Sequence, residues 1–192
     1  MSLARRLELL DWAERNQGWI IEDDYDGEYR YCGAPLAPLA ALDRQGRVIY
    51  VGTFGKVVFP ALRLGYLVLP KGLIEPFARR RSLDMRHSEV STQAVMAEFM
   101  AAGHFHRHIR RMRRAALSRR NALLADWPQG IAGVGPMPGI AAGLHVAVPV
   151  INLEREQELL AQAKEAEVEI NGLSSYWLQG SSEPVDKRAG LV

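Results

Sequence analysis

The feature that most constrains this fold is Val48–Pro70, VIYVGTFGKVVFPALRLGYLVLP, where two apolar runs flank a glycine-containing segment that carries Lys56. Val48–Val51 ends at Gly52 and Leu64–Leu69 is closed by Pro70, so the pattern predicts two buried strands around a tight turn. An ammonium between such strands is costly unless it is paired or gives up its proton. A lysine desolvated in this way is a nucleophile that forms Schiff bases with aldehydes, pyridoxal phosphate among them. The alternative is a lysine whose stem packs in the turn while its head reaches water.

Thr53 stands three residues before Lys56 and Arg63 seven after it. A guanidinium with its planar fork of donors and a hydroxyl are suited to hold a phosphate beside a Schiff-base lysine. A nucleotide-binding P-loop needs glycine six residues before its lysine and a hydroxyl residue after it. Tyr50 and Val57 occupy those positions, which excludes that reading.

In 192 residues, 48% hydrophobic, there is enough apolar material for a real core, and a disordered chain is excluded. The net charge of +2 does not argue for nucleic-acid binding, but it is unevenly spread. Arg79–Arg120 holds 11 Arg against Asp84, Glu89 and Glu98, a local balance of +8 that leaves −6 elsewhere. A single cysteine, Cys32, excludes an internal disulfide framework and fits a reducing cytoplasm. The first residues lack the apolar core of a secretion signal, and no run approaches the ~20 apolar residues of a membrane span. A soluble cytoplasmic protein is expected.

In chain order, Ser2–Asn16 reads as a helix capped by Ser2 and stopped at Gln17-Gly18, with Leu3, Leu7, Leu10 and Trp12 or Ala13 as its apolar face. Trp19-Ile20-Ile21 reads as a buried strand delivering Glu22–Asp26 at its C-terminal end, where open α/β sheets place ligand-binding groups. Tyr29–Asp43, with Gly33, Pro35 and Pro38, reads as a loop with a helical turn near Leu39–Leu42. Gly72–Met85 begins as a helix whose Arg79-Arg80-Arg81 run is a solvated face, and Gly103 divides Ser91–Leu124 into two helices. Beyond Asp126-Trp127-Pro128 the pattern predicts a strand at Leu144–Val150, a helix at Leu153–Ala166, a strand at Val168-Glu169-Ile170, a loop at Asn171–Arg188 and a last apolar run at Gly190–Val192.

Five acids lie between Glu22 and Glu28, but without the glycine and closing glutamate of a calcium loop. Asp23 and Tyr25 suit another role, a carboxylate and a phenol placed to bind a heterocyclic cation and an adjacent ring oxygen. His104 and His108 share a helix face at a spacing that can bind a transition metal, yet no third ligand is near in sequence. Solvated histidines on a basic helix are the simpler reading, and no metal site is expected.

EDDYDGEYRY at Glu22–Tyr31, PLAPLAALD at Pro35–Asp43, the Lys56 segment and GHFHRHIRRMR at Gly103–Arg113 resemble, in order and spacing, the aminotransferase-like domain of MocR-type regulators of the GntR group. GLHVAVPV and GLSSYWLQGSSEPVDKRAGLV resemble the C-terminal subdomain of the same family. The resemblance implies an α/β protein of the pyridoxal-phosphate-dependent fold type I. Residues 1–100 would form the second half of the large domain, 101–118 a connecting basic helix, and 119–192 a small truncated domain. It further implies that Lys56 forms the Schiff base, Asp23 pairs with the pyridine nitrogen, Tyr25 bonds the ring oxygen, and Thr53 with Arg63 binds phosphate. Arg188 is the nearest candidate for a substrate carboxylate.

By the same resemblance the cofactor is pyridoxal 5'-phosphate, the partner an amino compound sensed by Schiff-base exchange, and the assembly a homodimer. DNA would be bound only through a helix-turn-helix domain that this chain does not contain. Two departures stand out. Gly55 replaces the serine usual in GTFSK, and the first half of the domain, with its phosphate cradle and stacking aromatic ring, is not represented. An aminotransferase enzyme and a truncated product that binds no cofactor are the alternative readings.

Overall fold

The computed structural model describes residues 1–34, 36–85, 89–128, 130–178 and 188–192. It divides into two compact units, Met1–Arg114 and Ala115–Val192, and the division falls inside the long basic helix.

The first unit starts with α1 (Leu3–Arg15), whose N-terminus is closed by the Ser2 hydroxyl accepting from the Arg5 N–H at 3.3 Å. Its C-terminus is closed by Gln17, which takes a left-handed φ of 51° so that the Gln17 and Gly18 N–H groups reach the Glu14 and Ala13 carbonyls. The buried face differs from the expected one. Ala13 is fully buried, with Leu9 and Leu10 packed against Ile20, Leu39 and Val48, while Leu3, Leu7 and Trp12 are about half exposed.

β1 (Ile20–Asp24) pairs in parallel with β2 (Val48–Thr53), and β2 pairs antiparallel with β3 (Gly65–Val68), giving the order β1-β2-β3. Two carboxylates fix the crossover between the parallel strands. Glu22 receives the Leu39 and Ala40 N–H groups at 2.7 and 2.9 Å and so caps α2 (Leu39–Leu42). Asp43 receives four consecutive backbone N–H groups, from Gln45 to Val48, and launches β2.

Two expectations of burial fail in this sheet. Ile21 is 70% exposed because it points to the face that α1 and α2 do not cover, and every residue of β3 is exposed, an edge strand rather than a core one. The segment between β2 and β3 is also longer than a tight turn and includes a 3-10 turn at Pro60–Leu62.

α3 (Lys71–Asp84) carries Arg79 paired with Glu75 and Arg80 with Asp84 on its solvated side. An open, mostly apolar groove of about 1140 Å³ lies between α3 and the β2–β3 side of the sheet. Gly103, at φ 71°, separates α4 (Ser91–Ala101) from α5 (His104–Asp126), as the sequence predicts.

In the second unit β4 (Val148–Pro149) pairs antiparallel with β5 (Gly190–Leu191), and α6 (Leu153–Glu165) is capped by Asn152. Glu156 of α6 is fully buried. It accepts from the Ser174 hydroxyl, the Ser174 N–H at 3.3 Å and the Gly190 N–H at 2.6 Å, tying the 3-10 turn Leu173–Tyr176 to β5.

The strand expected over Leu144–Val150 contracts to Val148–Pro149. Val168–Ile170 is not a strand: Val168 is half exposed, and the pairing starts at Asn171, which exchanges two backbone hydrogen bonds with Val192. Of the expected loop Asn171–Arg188, residues 179–187 lie outside the described residues. Among the described residues no helix is long and apolar enough to cross a membrane.

Candidate functional site

Strand register sorts the acidic residues onto two faces. Asp23 is opposite Val51 and Asp24 opposite Gly52, while Val51 faces Leu67 and Thr53 faces Gly65 across the second ladder. Because side chains alternate along a strand, Asp23, Val51, Thr53 and Leu67 share one face, and Glu22, Asp24, Tyr50 and Tyr66 share the other. The first face holds the candidates. Asp23 is exposed, and Tyr25, just beyond the end of β1, is 38% exposed.

The second face is closed by its own contacts. Asp24 accepts from the Tyr50 hydroxyl and from the Gly27 N–H, both at 2.9 Å. Burial, reinforced by the hydrogen bond to Asp24 and its negative charge, raises the Tyr50 phenol far above its usual range and keeps it a donor. The sequence reading assigned Asp24 no work.

Thr53 ends β2, and its Oγ1 accepts from the Gly55 N–H at 3.1 Å. The Phe54 N–H donates to the Leu64 carbonyl at 3.0 Å, one residue beyond the last Thr53–Gly65 pair of the ladder, and Arg63 stands two residues before β3. Arg63 ends the 3-10 turn in a left-handed conformation, φ 49° and ψ 31°, and its side chain is exposed.

Lys56 corrects the expectation from which its chemistry was first argued: its side chain is exposed, not buried. Its backbone, by contrast, is tightly held. The buried Tyr29 donates its hydroxyl to the Lys56 carbonyl at 3.1 Å, and His108 of α5 sets Nε2 2.8 Å from the Val57 carbonyl. The Val57 side chain is 1% exposed, and the Val58 N–H closes a turn on the Phe54 carbonyl at 2.8 Å.

His108 is therefore not a solvated histidine. It is half-buried, with Phe99 against its ring at 6.3 Å, whereas His104 is exposed and contacts Arg107. Among the described residues no three metal-ligating side chains converge. Arg188 belongs to the second unit, two residues before β5, and is half-buried.

Sequence reasoning gave Tyr29 no role and read His108 as solvated. Both stand in segments it singled out, EYRY and GHFHRH, but a bond from a side chain to a carbonyl 27 or 51 residues away leaves no periodic trace.

No protein-family model matches the chain. It is 38% identical over 174 residues to the uncharacterized HTH-type transcriptional regulator YdeL of Bacillus subtilis, across 91% of this chain and 38% of that protein. It is 45% identical over 136 residues to the probable rhizopine catabolism regulatory protein MocR of Rhizobium meliloti, across 66% of this chain and 27% of that protein. The crystal structure of Pyrococcus horikoshii kynurenine aminotransferase superposes with a TM-score of 0.81 at 29% identity, across 90% of this chain and 43% of that one. The chain thus spans less than two fifths of the length of these curated relatives.

Proposed function

Because the chain is homologous to the aminotransferase-like domain of MocR-type helix-turn-helix regulators and carries part of the aminotransferase fold, we propose that it supplies the lysine-bearing part of a pyridoxal-phosphate site that senses an amino compound. The observation that carries this reading is the shared face of Asp23 and Thr53 at the C-terminal ends of two parallel strands, with Lys56 in the following turn and Arg63 just before β3.

The donor set fits the cofactor group by group. Asp23 offers a carboxylate to a pyridinium nitrogen, Tyr25 a phenol to the ring oxygen, and Thr53 with Arg63 a hydroxyl and a guanidinium to the phosphate. Lys56, exposed on a held backbone, offers a primary amine free to move. Pyridoxal phosphate, when bound, supplies an aldehyde that bonds reversibly to primary amines and a ring that withdraws electrons from the carbon beside the nitrogen. An amino compound would compete with the Lys56 amine for that aldehyde. Lys56 and its turn would be the part of this chain that responds to such an exchange.

In the whole protein this signal would bias DNA binding by a helix-turn-helix domain, in a cytoplasmic homodimer. The test is incubation with pyridoxal phosphate, borohydride reduction and peptide mapping. The label is expected on Lys56. A label on Lys71 or Lys164 refutes the assignment, and no label shows that this chain does not hold the cofactor by itself. Turnover of an amino acid with a keto acid would instead favour an aminotransferase, as the kynurenine aminotransferase neighbour is named.

A further inference from the structure

Two consecutive carbonyls, those of Lys56 and Val57, are each held by a side chain from a distant element, Tyr29 at 3.1 Å and His108 at 2.8 Å. A carbonyl oxygen only accepts, so both side chains donate. Burial, with the charge of Glu28 and the neighbouring Tyr31 adding to it, raises the Tyr29 phenol and keeps its proton in place. For His108 the proton sits on Nε2, which leaves Nδ1 turned toward the Arg111 guanidinium at 3.5 Å. Phe105 and Phe99 pack around the start of the segment, with the Phe54 and Phe105 ring centres 5.9 Å apart.

We propose that Tyr29 and His108 are positioning residues for Lys56: by fixing the Lys56 and Val57 carbonyls they leave the lysine no freedom except along its own side chain. This inference rests on the reading of Lys56 as the cofactor lysine. Its physical content is pre-organisation. An amine on a fixed backbone meets the aldehyde within a small volume, whereas an amine on a mobile turn must first lose that motion.

The test compares the chain with Tyr29→Phe, His108→Leu and His108→Gln. The last keeps an N–H donor near the position of the imidazole Nε2. Two quantities are read: hydrogen exchange of the Gly55 and Val58 amides against those of α1 and α6, and the rate at which pyridoxal phosphate is trapped on Lys56 by borohydride. Tyr29→Phe and His108→Leu are each expected to speed exchange at Gly55 and Val58 about tenfold, the change that ~1.4 kcal/mol gives, with α1 and α6 unchanged. Trapping at Lys56 should slow by a similar factor without moving to another lysine, and His108→Gln should recover most of both.

Unchanged exchange and unchanged trapping in both variants overturn the proposal. Loss of protection across α1 and α6 as well overturns it in favour of a general packing role. If the unsubstituted chain is not trapped at Lys56 at all, this chain does not hold the cofactor by itself, and the exchange measurement alone decides whether the two side chains hold the turn.

Discussion

The Tyr50 hydroxyl donates to Asp24 Oδ2 at 2.9 Å, joining the two parallel strands side chain to side chain on the face opposite Asp23. Asp24→Ala leaves this phenol and the Gly27 N–H without their acceptor, and is expected to destabilise the chain by about 1–3 kcal/mol. Tyr50→Phe should cost about 1 kcal/mol. Urea unfolding checks both, and two neutral variants would show that the bond contributes nothing.

Asp23 answers to a different measurement. Asp23→Asn keeps size and polarity but removes the charge that would hold a pyridine nitrogen protonated, and each unit lost from that nitrogen's pKa is ~1.4 kcal/mol. Titration with pyridoxal phosphate should show Asp23→Asn binding at least about tenfold more weakly, against a change within about threefold for Asp24→Asn under conditions where both are folded. The reverse ranking would mean that the strand register assigns the role to the wrong aspartate.

Gly55 is not required by its backbone. A β-carbon there would meet Thr53 Oγ1 at 3.4 Å and the Pro60 Cα at 3.9 Å, ordinary contact distances. Gly55→Ser should therefore fold normally and gain about 0.5 kcal/mol by restricting the unfolded chain. A lowered melting temperature would contradict this.

Glu156 is the buried hub of the second unit. Glu156→Ala strands the Ser174 and Gly190 N–H groups and is expected to cost about 3 kcal/mol, with a smaller loss for Glu156→Gln, whose amide keeps one accepting oxygen. Hydrogen exchange at Gly190 should rise in both. Equal stability of all three proteins would remove Glu156 from this role.

A pH dependence follows from Glu28. Burial lifts its carboxyl above the ordinary 4.5; its own backbone hydrogen bond opposes this, and the charges of Asp24 and Asp26 add to it. A carboxyl raised in the fold contributes stability in full below its unfolded value, and that contribution is lost as pH climbs through the folded value. Glu28→Gln should therefore be more stable than the unsubstituted chain at pH 7, with the gap closing below about 4.5. Thermal melts across that range decide it, and a gap that widens on acidification is the contrary result.

Local signals were legible. The Ser2 cap, the break at Gly103 and the acidic helix beginning after Asn152 each depend on neighbours within one turn, and the sequence carries them directly. Burial was not legible where a partner decides it. Ile21 and β3 have the composition of core strands, yet Ile21 and every residue of β3 stay exposed. Val168–Ile170 has strand composition too, but pairing with the chain's end begins only at Asn171, and propensity without a partner makes no strand. For Lys56 the argument from burial is not met, because its side chain is exposed at the end of a segment whose length the two apolar runs do not reveal.

The left-handed Arg63 bears on how such a chain tolerates change. Among the described residues, the other two non-glycine residues with positive φ, Gln17 and Glu167, also lie just past helix ends, where glycine is the low-strain choice. Arg63→Gly would relieve about 1 kcal/mol of backbone strain. Selection for thermal robustness alone would accept that replacement, whereas selection for anion affinity would reject it.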